Sequence, residues 1–154
     1  MSNIWFIGDI HGGHRNVHKF RKQFQSEEDH FKHVKDNFHK VVKKRDKVFF
    51  MGDTAFTLDR LQDISTWVCG RKVLICGNHD TDHIPMKVLC DYFDEVYSLY
   101  KWHEFWLSHC PIHPDELRGK VNIHGHVHHA TLNDKRYYNT SLENTGFYPV
   151  DLNF

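Results

Sequence analysis

The apolar positions of this chain follow two different periods. Ile4-Trp5-Phe6-Ile7, Val48-Phe49-Phe50-Met51 and Val73-Leu74-Ile75-Cys76 are short apolar runs, each stopped by a glycine, at Gly8, Gly52 and Gly77. Runs of that length bounded by glycine predict strands buried on both faces. Between them the apolar residues recur at helical spacing. Val17, Phe20 and Phe24 share one face of a short helix capped by Asn16. Phe31, Val34, Phe38, Val41 and Val42 define the longest helix, opened by Ser26-Glu27-Glu28-Asp29. That opening is a capping box in which Asp stands for the usual Glu or Gln. Leu61, Ile64 and Val68 predict a helix closed by Gly70, and a shorter helix spans Pro85 to Leu89. Further on, Val96 to Tyr100 and Glu104 to Leu107 predict a hairpin. Val121 to Ile123, Tyr137 to Asn139 and Phe147 to Val150 predict three more strands. An alternating first half and a strand-rich second half imply one layered α/β domain over residues 1–154, with mixed sheets.

Composition adds little except histidine. Twenty acidic and twenty basic side chains cancel, so net charge singles out no class of partner. The lysine-rich stretch from Lys32 to Lys47 is interrupted by Asp36 and Asp46 and reads as a solvated helix face, which disfavours nucleic acid as a partner. Trp102, Phe105 and Trp106 read as packing residues. No apolar stretch approaches the roughly 20 residues of a membrane span, and no secretory leader is visible. Cys69, Cys76, Cys90 and Cys110 form no C-x-x-C pair and read as reduced thiols of a cytoplasmic protein. Histidine is in excess, with 15 in 154 residues. Of these, His30, His33, His39 and His129 read as exposed bystanders.

The chemistry lies where the strands end. Gly8-Asp9-Ile10-His11, Gly52-Asp53-Thr54 and Gly77-Asn78-His79-Asp80 follow the first three predicted strands. Leu107-Ser108-His109 and His124-Gly125-His126-Val127-His128 follow two later ones. Ligands in open α/β sheets sit beyond the carboxyl ends of the strands, so these clusters converge on one edge. They offer carboxylates, an amide oxygen and several imidazoles, a donor set suited to manganese, iron, nickel or zinc rather than calcium or magnesium. Asp9 and His11 are two residues apart, as are His126 and His128. In extended chain such residues point to one side about 6.5 Å apart, a span that reaches one ion or two ions roughly 3.5–4 Å apart. The glycine before each cluster lets the backbone turn sharply.

The ordered set D-x-H, G-D, G-N-H-D, H and G-H-x-H, from Asp9 to His128, resembles the calcineurin-like metallophosphoesterase superfamily. The opening Trp5 to His14 and the segment Leu107-Ser108-His109-Cys110-Pro111-Ile112-His113-Pro114 resemble its small cap-less members in bacteria and tailed phages. The resemblance implies a four-layer αββα sandwich of two mixed sheets flanked by helices, with the site at the strand ends. It implies that Asp9, His11 and His128 hold one ion, Asn78, His109 and His126 hold the other, and Asp53 bridges them. His79 would act as general acid with Asp80 orienting its ring, and His14, His113 and His124 would contact substrate or support the site. Some relatives carry a further aspartate after G-D, where this chain reads Thr54-Ala55-Phe56.

The implied reaction is hydrolysis of a phosphoester by in-line attack of hydroxide that two divalent ions, manganese foremost, generate near neutral pH. A chain too short for a cap implies an open site and a phosphodiester or nucleotide-type substrate, cyclic nucleotides included. The alternatives are a phosphomonoesterase, a nuclease, or a metal-binding scaffold without turnover.

Overall fold

The computed structural model describes residues 1–152. Its first sheet holds β1 (Ile4–Ile7), β2 (Lys47–Phe50), β3 (Arg71–Ile75) and β4 (Glu95–Tyr97), in the order β1-β2-β3-β4 and wholly parallel. The connections carry α1 (Val17–Phe20) and α2 (Glu27–Val41), then α3 (Leu58–Ser65), then α4 (Met86–Tyr92). The second sheet holds β5 (Leu99–Trp102), β6 (Phe105–Ser108), β7 (Val121–His124) and β8 (Tyr137–Asn139), in that order. Its β5–β6 pair is antiparallel and the others are parallel.

Alternation along the strands sorts two cores. Ile7, Val48, Phe50 and Leu74 face the helices and pack with Phe31, Val34, Phe38, Leu61, Ile64 and Leu89. Phe6, Phe49, Val73 and Ile75 face the other way and meet Phe105, Leu107 and Ile123 of the second sheet. Each fully buried large side chain contributes about 1.5–3 kcal/mol, so the two sheets are locked face to face. On the outer face of the second sheet the 109–120 connection lies across the strands. Trp106 Nε1 donates to the Leu117 carbonyl (3.1 Å), Ile112 N donates to Asn122 Oδ1 (2.9 Å), and the Tyr137 hydroxyl donates to the Ile112 carbonyl (2.7 Å).

The double sheet with flanking helices is the predicted architecture, and several details differ. The mixed sheet is the second alone. The first is all parallel because every connection within it is a helical crossover. The predicted strand from Val96 to Tyr100 is two strands. The chain leaves the first sheet after Tyr97 and enters the second at Leu99, so only β5 makes the hairpin with β6. Phe147 to Val150 is no strand: Val150 forms a single bridge to Phe6, and Phe147 has a positive φ that breaks the ladder. Phe20 is exposed and Phe24 lies beyond α1, which ends after four residues without a side-chain cap from Asn16. At α2, Ser26 Oγ accepts from Asp29 N (3.0 Å), as the capping box requires. The shorter Asp29 carboxylate accepts from Gln25 N rather than from Ser26 N.

Candidate metal centre

The loops after β1, β2, β3, β6 and β7 meet at one end of the double sheet. Asp9 N donates to the Gly52 carbonyl (3.1 Å) and His11 N to the Asp53 carbonyl (2.9 Å), so the first two loops run side by side. Asp80 binds three backbone N–H groups: those of Asp53 (2.9 Å), Thr54 (2.8 Å) and Gly77 (2.6 Å). It is buried, which pushes its carboxyl up to about 6 against the pull of those donors. Asp80 therefore ties the second and third loops together. The His79 ring is held instead by Asp82, whose Oδ2 lies 2.6 Å from His79 Nδ1. The sequence reading gave the orienting role to Asp80.

Five of the expected ligands occupy left-handed backbone: Asp9 (φ 53°), His11 (55°), Asp53 (50°), His126 (72°) and His128 (49°). Such conformations cost roughly 1–2 kcal/mol for a residue with a Cβ and gather at functional sites. The two i, i+2 pairs thus converge through turns of the backbone, not through the pleat of an extended strand. The glycines matter for close approach. A Cβ on Gly125 would collide with Asp9 Oδ2, and one on Gly77 with Asp53 Oδ1.

At the centre lie Asp9 and Asp53, both buried. Asp53 Oδ2 is 3.2 Å from His109 Nε2 and 3.7 Å from His11 Nε2. Asp9 Oδ1 is 3.7 Å from His11 Nε2 and 3.9 Å from His109 Nε2. Separations of 3.7–3.9 Å are too long for hydrogen bonds, and Asp9 Oδ1 and His11 Nε2 are buried without a partner. They match the spacing of ligands that each stand roughly 2.0–2.2 Å from a shared ion. Donor atoms of Asp9, His11 and His128 lie within 4.8 Å of one another, as do those of Asp9, Asp53 and His109, and those of His109, Cys110 and His126. The residues present fit a divalent metal, with three candidate donor groups that share members.

Four of these expected ligands, Asp9, Asp53, His109 and His128, are anchored on their other side. Asp9 Oδ2 accepts from Ser141 Oγ (2.7 Å) and His126 N (3.0 Å), leaving Oδ1 to face the centre. Asp53 Oδ1 accepts from His79 N (2.9 Å), leaving Oδ2. Both carboxyls are held below the usual carboxylate range: burial alone would raise them, but His11 and His109 outweigh it. His109 Nδ1 lies 2.8 Å from the Met51 carbonyl and His128 Nδ1 lies 2.8 Å from Glu143 Oε2, so Nε2 is the nitrogen each has to give. Burial would lower His109, but Asp53 and Asp9 push it up to about 9. Glu143 in turn accepts from Arg21 Nη2 (2.9 Å) and Nε (3.1 Å). Arg21 is buried and also donates to the Asp9 carbonyl (2.7 Å). His30 Nε2 lies 2.8 Å from Arg21 Nη1 and accepts from it; burial first, and the guanidinium second, lower His30 to about 3.

Of the remaining expected residues, Asn78 lies exposed in the turn before His79. His14 joins the site, its ring 5.9 Å from that of His11. His113 is exposed and caps the 3-10 turn Pro114–Glu116, accepting from Asp115 N (3.1 Å). His124 is buried beside Tyr137 on the outer face of the second sheet, with Nδ1 on the Gly125 carbonyl. Strand alternation turns His124 to the outer face of the second sheet, away from the Asp9–Asp53 centre. Sequence reasoning passed over Arg21, Glu143 and Asp82, and it read the fully buried His30 as exposed. It also passed over Phe56, whose ring lies 4.9 Å from His11, 5.2 Å from His14 and 5.1 Å from His79. No local signal singled out Arg21, which stands beside Lys22 between Phe20 and Phe24.

A family profile described as calcineurin-like phosphoesterase matches residues 2–152. The chain is similar to the Gene 66 protein of Mycobacterium phage L5, at 31% identity over 83% of this chain and 78% of that protein. It is similar to an uncharacterized protein of Methanocaldococcus jannaschii, at 31% identity over 99% of this chain and 88% of that one. Among solved structures it resembles a protein of unknown function from Aquifex aeolicus, with a TM-score of 0.76, 25% identity, and coverage of 97% of this chain and 95% of that one.

Proposed function

The chain belongs to the calcineurin-like phosphoesterase family, and from that premise we propose that it hydrolyses phosphodiesters, nucleotide-type esters included, with two divalent ions. The observation that carries this reading is the pair of buried, unpartnered donor atoms Asp9 Oδ1 and His11 Nε2, which face Asp53 amid further imidazoles. In this reading Asp9, His11 and His128 hold one ion, Asn78, His109 and His126 hold the other, and Asp53 bridges. The mixed nitrogen and oxygen donors favour manganese, with iron, nickel or zinc as alternatives. When bound, the ions polarise the phosphoryl oxygens and acidify the attacking water.

The protein's own groups do the remaining work. His109, anchored by the Met51 carbonyl, and His128, anchored by Glu143, present fixed Nε2 atoms and need no reorganisation. His79 is tied to Asp53 through its backbone N–H and to Asp82 through Nδ1. Its Nε2 is then the atom that gives a proton to the departing oxygen. The rim is open, since Asn78 is exposed and the His79 side chain is 43% exposed. An open rim accommodates a phosphorus carrying two ester groups, which supports a diester over a monoester. The test is hydrolysis of aryl phosphate mono- and diesters with manganese, then with chelator. The diester should show the larger kcat/KM and lose it on chelation. A clear monoester preference would replace the diesterase reading by a phosphatase one.

A further inference from the structure

Beside the metal ligands lies a pocket of about 450 Å³, bordered at its inner end by His11 and His128. Its volume falls in the range of pockets that enclose a small organic group. The walls are mainly apolar, from Val17, Phe20 and Val127. Phe20 is unusual: it sits at the end of the four-residue α1 with 77% of its surface exposed, and its ring meets the edge of His14 at 5.9 Å. A bare aromatic face next to a phosphoryl site is a stacking surface. His14 also lines this pocket, and its Nδ1 is buried without a partner.

Charge narrows the ligand. Arg21 is the one permanent cation among the lining residues, and it is spent on Glu143 and the Asp9 carbonyl. With Glu143 also on the wall, the described lining offers four imidazoles, of His11, His14, His128 and His129, but no unpaired guanidinium or ammonium for a second phosphate or a polyanionic strand. It suits a neutral, flat group with ring nitrogens or amino groups, attached to the phosphorus that the ions hold. We propose that this pocket is a nucleobase subsite, with the base stacked on Phe20 and hydrogen-bonded by His14; the assignment of base to phosphate rests on the phosphodiesterase reading above.

The test uses phosphonates, whose P–C bond an esterase does not cleave, so that binding is read without turnover. Calorimetric titration of the manganese-loaded protein compares methylphosphonate, phenylphosphonate and an adenine-bearing alkylphosphonate. The adenine compound should bind about tenfold or more tighter than methylphosphonate, the usual worth of one base stacked on an aromatic ring. Phe20→Ala should reduce that ratio to below about threefold and Phe20→Trp should restore it. Methylphosphonate affinity should be the same in all three proteins. Because Phe20 is exposed, its removal leaves the core intact. Equal affinity for the adenine and methyl compounds in the unsubstituted protein would overturn the proposal. So would tight binding of the phenyl compound with exclusion of the adenine one, which would mark an aryl pocket closed to bases. Failure to hydrolyse any ester would count against the phosphodiesterase reading and leave this measurement standing.

Discussion

Replacing Glu143 tests whether the network behind the ligands supports the centre. The Glu143 carboxylate accepts from His128 Nδ1 at 2.8 Å and from Arg21 at 2.9 and 3.1 Å, all charge-assisted when both partners are protonated. These bonds, His128 before Arg21, outweigh the burial that would raise it and hold it well below the usual carboxylate range. In Glu143→Ala the Arg21 guanidinium, 2% exposed, loses its counter-ion and keeps only carbonyls and His30. Stranding a buried charge costs about 3–5 kcal/mol. Glu143 is 21% exposed, so water relieves part of this and the lower end, about 3 kcal/mol, applies. For a chain of this size that lowers Tm by roughly 6–12 °C. Glu143→Gln keeps the shape and one acceptor, so its loss of stability should be smaller. It still weakens the grip on His128 Nδ1, and changes of that kind lower metal affinity about 10–100-fold. The assay is a thermal melt without metal, followed by chelator titration of the manganese-loaded proteins. In Glu143→Gln one ion should leave early and the other at the usual chelator concentration. An alanine variant melting within about 2 °C of the parent, or a glutamine variant releasing its ions like the parent, would refute the reasoning.

Two further outcomes follow from the site. His79→Ala should keep its metal and lose about 10²–10⁴-fold in kcat on an ester with an alkoxide leaving group, with a much smaller loss on a nitrophenyl ester, whose anion leaves unaided; equal losses on both would remove the proton-donor role. His30 is neutral in the folded protein, with its pKa depressed to about 3. Above pH 6.5 neither state is protonated and the residue has no effect. Below it the unfolded chain takes up a proton that the folded one refuses, so stability falls with pH until about pH 3. Between pH 7 and 5.5 this amounts to about 1 kcal/mol. Urea melts of His30→Gln should show that much less pH dependence, and an unchanged slope would count against the buried neutral histidine.

The elements legible in the sequence were those with a strong period. β1, β2, β3 and α2 announced themselves because unbroken apolar runs and a wide apolar face have few other solutions; α3 was found through Leu61 and Ile64 but ends at Ser65, so the exposed Val68 and Gly70 lie beyond it. The crossing at Ser98 was hidden: Val96 to Tyr100 is a mostly apolar run with one serine, and only the stacking of two sheets decides that it splits. Phe147 to Val150 looked like a strand by composition but meets a single partner bridge. At the site, the meeting of Asp9, His11, Asp53, His109, His126 and His128 was legible because each follows a strand end. Their supports were not. Glu143 is 122 residues from Arg21 and 15 from His128, and no local pattern links residues joined only by the fold. His113 and His124 sat in the right segments, but one caps a turn and the other lies on the far face of its strand.

We propose that two ions share one centre through Asp53. The most direct test is the metal content of manganese-reconstituted protein, by elemental analysis and native mass spectrometry, beside that of Asp53→Ala. Two ions per chain are expected in the parent, and loss of both in the variant, since the Asp53 carboxylate faces His11 and His109 alike. A ceiling of one ion in the parent, or two ions retained without Asp53, would contradict it.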